Sequence, residues 1–209
     1  AYFDIFVDDP EKQALIEALD KVLKPEVIVL RNDVKMRQLE GLELYNEVAF
    51  GNLSELSDIE ENNTHFQVDL LKGQKTGWFY DHRMNRARVQ HYAKDKRVLD
   101  LFSYIGGWGL EAATAGASEV FCVDASEQAL DWLDNSAALN KFNNITSIQG
   151  NVFDVLKHLR NEREKFDIVI VDPPAFIKRK KDFKEGLTAY RRVNQMAMQL
   201  CTRDAILVS

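Results

Sequence analysis

Asp100, the glycines Gly106, Gly107 and Gly109, Asp124, and the run Asp172-Pro173-Pro174-Ala175-Phe176 are the residues of this 209-residue chain whose types and spacing could do chemistry. Glycines let a backbone pass close to a ligand, and here they open a helical segment whose amino terminus offers free N–H groups. Asp124 ends the next apolar run, about 20 residues on, where a carboxylate can accept hydrogen bonds from both hydroxyls of a ribose. Ser126 is better placed than Asp124 to cap the helix that follows. Asp172 ends a second apolar run, FDIVIV, and could bond the edge of a nucleobase. Pro173 and Pro174 would hold that loop rigid, and Phe176 offers a ring for a flipped base to stack on.

The elements that must carry these residues alternate. The apolar pattern predicts strands at 98–102, 119–123, 145–149, 167–171 and 205–209, and helices at 107–115, 126–141, 152–163 and 184–201. Such alternation implies right-handed crossovers and a Rossmann-like α/β fold, a parallel sheet with helices on both faces. In that fold ligands sit outside the carboxyl ends of the strands where the winding reverses, so the glycine loop and the Asp-Pro-Pro turn can face one crevice. Residues 89–209 read as this cofactor-binding domain and 1–88 as a small α+β domain on the substrate side. In the smaller piece, a helix over 11–24 precedes a strand at 27–30. Alternating segments broken at Gly41, Gly51 and Gly73 read as strands or hairpins, and Ser54 to Thr64 as a surface loop.

Composition excludes several classes. With 45% hydrophobic and 29% charged residues the chain is globular rather than disordered. No apolar run approaches the roughly 18 residues of a membrane span, and the start lacks a basic leader, which predicts a cytoplasmic protein. Cys122 lies in an apolar run and Cys201 near the end of a predicted helix; both read as inert thiols. His65, His82, His91 and His158 are scattered, so no metal is expected, and His82 is assigned an orienting role.

The net charge of −6 is divided unevenly. Residues 1–71 hold 6 Lys/Arg against 16 Asp/Glu, whereas 72–97 hold 8 against 2 and 178–192 hold 7 against 2. Both basic runs abut the ligand loops, so Arg83, Arg86, Arg88, Lys178, Arg179, Lys180 and Lys181 are read as contacts to a nucleic-acid phosphate backbone.

Gly107 to Ala112 also matches the dinucleotide fingerprint G-x-G-x-x-A, which raises an NAD enzyme. That fingerprint gives no reason for Asp100 ahead of the glycines or for DPPAF after a later strand. Both make sense when the ligand carries an amino acid's ammonium and a substrate base lies beside it. That ligand is S-adenosylmethionine.

Through RNDVKMRQLEGL, GQKTGWFYDHR, VLDLFSYIGGWG, VDAS, DPPAFIKRKKDFKEG and AYRRVNQMAM, the chain resembles a known family from about Arg31 onward. These are the class I S-adenosylmethionine-dependent ribosomal RNA methyltransferases that modify cytosine C5 in the large subunit. The resemblance implies a cofactor pocket formed by Lys75, Thr76 and Gly77, by Asp100 and Phe102, Ser103, Tyr104, Gly106 and Gly107, and by Asp124, Ala125 and Ser126. Asn151 and Val152 would lie by the adenine, with Asp172 at the edge of the pocket. Many relatives carry Asp where this chain has Asn151. The catalytic loop would be Asp172, Pro173, Pro174 and Phe176, and the partner ribosomal RNA. The oligomeric state stays open, a homodimer being one option.

Two departures from the family lead to the expectation that this sequence is a piece of a longer chain. Relatives usually begin with a small RNA-binding PUA domain, and those that methylate C5 present a cysteine just after the strand matching AILVS. Cytosine C5 becomes nucleophilic only when a thiolate adds at C6. Cys201, expected on a helix, would not supply it. Guanine N7 needs no such activation, and a related family that methylates it shares the KTG, DHR, FSY and DPP-x-F features. A non-catalytic module that binds the cofactor and RNA is the remaining alternative.

Overall fold

The computed structural model describes residues 9–209; residues 1–8, on which the expectation of no basic leader falls, lie outside them. The chain divides into two compact units, one holding the residues up to Asp58 together with Val68–Tyr80, the other Ile59–Gln67 and Asp81–Ser209. The division thus falls near Tyr80 rather than at residue 88, and a short stretch around residue 60 counts with the larger unit.

In the first unit, α1 (Asp9–Leu23) places Ile16 against Ile28 and Leu30 of β1 (Val27–Asn32). β1 pairs antiparallel with β2 (Tyr45–Gly51). Between them, Lys35–Leu39 form a short helix, α2, where the alternation predicts a strand. Lys, Met, Arg, Gln and Leu are all good helix formers, and the buried Arg37 ties the turn by donating from Nε to the carbonyl of Glu43 at 3.1 Å.

Residues expected to form a surface loop instead contain β3 (Ser57–Glu61), which pairs with β4 (Thr64–Val68). Asn62 and Asn63 make the two-residue turn with φ of 50° and 63°, the left-handed conformation that asparagine tolerates in tight hairpins.

The larger unit begins with α3 (Arg83–Ala93) and continues β5 (Arg97–Leu101), α4 (Gly107–Thr114), β6 (Glu119–Asp124), α5 (Glu127–Leu139), β7 (Ile145–Gln149) and α6 (Val152–Asn161). β8 (Phe166–Val171), α7 (Phe183–Met198) and β9 (Cys201–Val208) complete it. The five strands run parallel in the order β7-β6-β5-β8-β9. This is the Rossmann-like α/β sheet. Helices cover both faces: Val98, Val120, Ile168 and Ile170 join a core with α3, α4 and α5, while Leu99, Leu101, Val169 and Val171 face α6 and α7. The period of two in each strand sorts its side chains between these layers. The winding reverses between β5 and β8, so their carboxyl ends define the crevice of the fold.

One boundary differs with a chemical consequence. Cys201 is the first residue of β9, paired with Phe166, and not the end of a helix. α7 stops at Met198 because the chain turns at Gln199 and Leu200 to enter the sheet.

Candidate functional site

Asp100 sits near the end of β5 with no solvent exposure. Its Oδ2 accepts from the backbone N–H of Gly109 at 2.9 Å, while its Oδ1 is buried with no hydrogen-bond partner. Burial pushes the Asp100 carboxyl up to about 8; the Gly109 N–H opposes this, and the nearby Asp172 and Asp124 add to it. The Arg86 guanidinium opposes the rise only weakly. Ser103, also buried, leaves its Oγ without a partner two residues past the end of the same strand.

The loop between β5 and α4 is bent by its backbone. Phe102 and Tyr104 have φ of 63° and 51°, unusual for aromatic residues, and Gly106 has φ of 77°. A Cβ at Gly106 would lie 2.7 Å from Leu133, and one at Gly109 would lie 2.4 Å from the Sγ of Cys122. These glycines therefore seat α4 against the sheet as well as opening its amino terminus. Gly107 begins the helix and is buried.

Asp124 closes the far side of the loop. Its Oδ2 accepts from the N–H of Tyr104 at 2.8 Å and its Oδ1 from the N–H of Ser126 at 2.9 Å. Each oxygen keeps a second lone pair, so the carboxylate can hold the loop and still accept further hydrogen bonds. Ser126 caps α5 through the N–H of Ala129, as its position suggests, and Ala125 beside it is exposed. Asn151 caps α6 by accepting from the N–H of Phe153 at 2.9 Å, and Val152 is buried beneath it. One use of the Asn151 side chain is thus structural.

Across the switch point, Asp172 follows β8, and the indole Nε1 of Trp108 donates to its Oδ2 at 3.1 Å. Trp108 lies in the run GGWG and was legible only as part of that motif; its N–H is what fixes Asp172. Its ring touches that of His82, with centroids 5.6 Å apart. Pro173 and Pro174 carry the chain outward to Phe176, which is half-buried rather than free. Its ring packs at 4.8 Å from Tyr190, 6.1 Å from Phe102 and 6.3 Å from Phe153, and its N–H donates to the Tyr190 hydroxyl at 3.2 Å.

Lys75, Thr76 and Gly77 belong to the first unit, in an irregular turn. Lys75 has φ of 52° and its ammonium lies over the ring of Phe79 at 4.2 Å; Gly77, with φ of 89°, approaches the carbonyl of Asp69. Among the basic residues, Arg83, Lys178, Arg179, Lys180 and Lys181 are exposed. Arg88, also exposed, borders an apolar cleft of about 180 Å³ with Val89, Tyr92, Ile168 and Ile206.

Arg86 must be removed from the phosphate contacts. It is 3% exposed and pairs with Glu61 at 2.5 Å and Glu111 at 3.4 Å. Asn62 and Gln90 both donate to the other oxygen of Glu111. Burial, with Glu61 alongside, raises the Glu111 carboxyl, so one proton offsets the second negative charge around Arg86. A basic residue in a charged run looks solvated, and only its distant partner Glu61 shows that it is not.

The buried Oδ1 of Asp100 and Oγ of Ser103, the cradle of glycines and the twice-anchored Asp124 fit a ligand with a cationic amino-acid end and a ribose. The chain spans about half the length of the curated relatives it matches. The ribosomal RNA large subunit methyltransferase I of Enterobacter sp. (strain 638) is 37% identical over 202 residues, covering 95% of this chain and 51% of that protein. The fold is shared with SMU.776 in complex with SAH, at a TM-score of 0.78, 23% identity and coverage of 95% and 51%. It is shared also with the tRNA m1G37 methyltransferase of M. jannaschii, at a TM-score of 0.69, 20% identity and coverage of 96% and 54%. A family model described as S-adenosylmethionine-dependent methyltransferase matches residues 40–208, so the chain belongs to that family, whose cofactor the glycine loop, Asp100 and Asp124 are suited to receive.

Proposed function

We propose that this chain carries the cofactor-binding and catalytic core of a cytoplasmic methyltransferase acting on ribosomal RNA of the large subunit, at cytosine C5. The observation that carries it is the juxtaposition at the switch point: orphaned buried oxygens on Asp100 and Ser103 after one strand, and Asp172 held by Trp108 after the next. The 37% identity to a large-subunit ribosomal RNA methyltransferase supports the substrate.

When bound, S-adenosylmethionine supplies an electrophilic methyl group. Asp100 accepts from its ammonium, and in doing so gives up the proton that burial otherwise retains. Asp124 accepts from the ribose hydroxyls through the lone pairs that Tyr104 and Ser126 leave open. Asn151 and Val152 border the adenine. Asp172 keeps Oδ1 for the exocyclic amino group of a base, since Trp108 engages Oδ2. Phe176, fixed by Tyr190 and Phe102, is the aromatic wall beside a base turned out of its stack, and Pro173 and Pro174 hold the loop that carries it. Arg83, Arg88 and Lys178–Lys181 contact phosphates.

Attack from cytosine C5 requires a thiolate at C6. Cys122 is fully buried with its thiol pushed well up by desolvation, and Cys201 lies at the amino end of β9, the wrong end of the strand for this crevice. The C5 reaction therefore needs a thiol from outside residues 1–209. Guanine N7 is the second reading: it has its own lone pair, so positioning alone suffices there.

The test is methyl transfer to large-subunit ribosomal RNA by the longer protein, followed by identification of the methylated nucleoside. 5-Methylcytidine is the expected product. 7-Methylguanosine would install the second reading, and no transfer by a protein that binds S-adenosylmethionine would overturn both.

A further inference from the structure

α7 carries an exposed apolar stripe beside the candidate catalytic loop. Phe183 and Leu187 lie one turn apart and are each 55% exposed, large for apolar side chains on a helix whose other face is core. The segment that carries them is rich in cations. Lys178, Lys180, Lys181 and Lys184 are exposed, as is Arg179, which pairs only at the surface with Asp182. Residues 178–192 hold 7 basic against 2 acidic side chains.

The stripe is rigidly placed. Gly186 is buried against the loop: a Cβ there would lie 2.4 Å from Ile177 and 2.9 Å from the carbonyl oxygen of Phe176. Tyr190, one turn further on, holds Phe176 by both ring and hydroxyl. Phe183 and Leu187 flank Gly186 on the same helix, so they stand at a fixed distance from the loop that ends at Phe176. A lone exposed apolar residue needs no explanation, but an aromatic ring within a cationic surface has a specific use. Lysines hold a phosphate backbone while a ring stacks on a base, the combination by which proteins bind single-stranded nucleic acid.

We propose that Phe183, with Leu187 beside it, is a stacking platform for an unpaired base flanking the target nucleotide, and that Lys178, Lys180, Lys181 and Lys184 hold the adjoining phosphates. This rests on the RNA reading above and adds to it: the substrate would be a single-stranded or loop segment, because a ring cannot reach a base face inside a duplex. A second copy of this chain is the competing occupant, and the like charges around the stripe disfavour it.

The experiment is fluorescence anisotropy of the longer protein that carries this chain, with a labelled, unstructured RNA of about 12 nucleotides, across a series of salt concentrations. Titration with S-adenosylmethionine serves as the check of folding. Phe183→Ala should weaken RNA binding about 5- to 100-fold with the salt slope unchanged, and Phe183→Trp should restore it. Lys180→Glu with Lys181→Glu should weaken binding and also make the salt slope shallower. Binding by Phe183→Ala within about two-fold of the parent would overturn the platform while leaving RNA recognition standing. A parent dimer that becomes a monomer in Phe183→Ala by sedimentation would overturn it in favour of a subunit contact. A parent that binds S-adenosylmethionine but no RNA would overturn the function proposed above, and the platform with it.

Discussion

The glycine loop after β5 and the Asp-Pro-Pro loop after β8 end neighbouring strands of one sheet, yet they are held by different means. The first is fixed by the backbone: N–H groups of Tyr104, Gly109 and Ser126 go to the carboxylates of Asp124 and Asp100, and two glycines let α4 sit against Leu133 and Cys122. The second is fixed by side chains: an indole N–H on Asp172, a tyrosine hydroxyl and three rings around Phe176. A loop of the first kind has its shape before any ligand arrives. One of the second kind can be retuned by substitution without refolding its strand.

The sharpest break in this comparison is Asp124→Ala. It removes the acceptor of two backbone N–H groups and, on the proposed reading, of two ribose hydroxyls. Charge-assisted bonds contribute about 1.5–3 kcal/mol each, so affinity for S-adenosylmethionine should fall by two orders of magnitude or more, read by calorimetry. Asp172→Asn should leave that affinity within several-fold, and equal losses would erase the distinction between the loops.

Gly109→Ala comes next. The new methyl group must displace the Cys122 sulfur or push α4 away, costing about 1–3 kcal/mol of stability in urea unfolding. An unchanged midpoint would mean that α4 is not tightly seated.

The pH dependence of stability is a third probe. Asp100 and Glu111 hold their protons up to about 8 when folded, and release them near 4 when unfolded. The folded state therefore binds more protons in between, and stability should fall as pH rises from about 4 to about 8. Glu111→Gln should flatten part of that decline. The smallest effect belongs to the side-chain-held loop: Tyr190→Phe keeps the ring on Phe176 and loses one hydrogen bond, about 0.5–1.5 kcal/mol by the same unfolding measurement.

Much of the larger unit was legible because its strands are apolar runs bounded by turn residues. β7 matches its expected span of 145–149, and β5, β6 and β8 lie within a residue of theirs. The glycine loop could be read for the same reason, since glycine spacing and a following carboxylate are local signals. What escaped the sequence depends on distant partners. β3 is polar enough to pass for a loop; it is ordered by pairing with β4 and by Glu61, whose carboxylate meets Arg86 25 positions away. The Asn62-Asn63 pair was the available sign of a hairpin. Arg86 looked solvated because its neighbours in the chain are basic, and Cys201 looked helical because no glycine or proline separates α7 from β9. Trp108 showed its spacing but not its bond to Asp172, 64 positions on.

The contact between Gly109 and Cys122 has a consequence for how this sequence can change. The two positions share one volume: a Cβ at 109 and the sulfur at 122 cannot both be accommodated as they stand. Alanine at 109 fits more easily once 122 shrinks to alanine or glycine, with Val120 at 3.1 Å and Asp100 at 3.3 Å setting the remaining limit, so the cost of either substitution depends on the other. Paths through sequence space that alter this loop are ordered, with residue 122 changing first. Variation at a glycine that looks dedicated to the cofactor is thus gated by a thiol on the adjacent strand that takes no part in the chemistry.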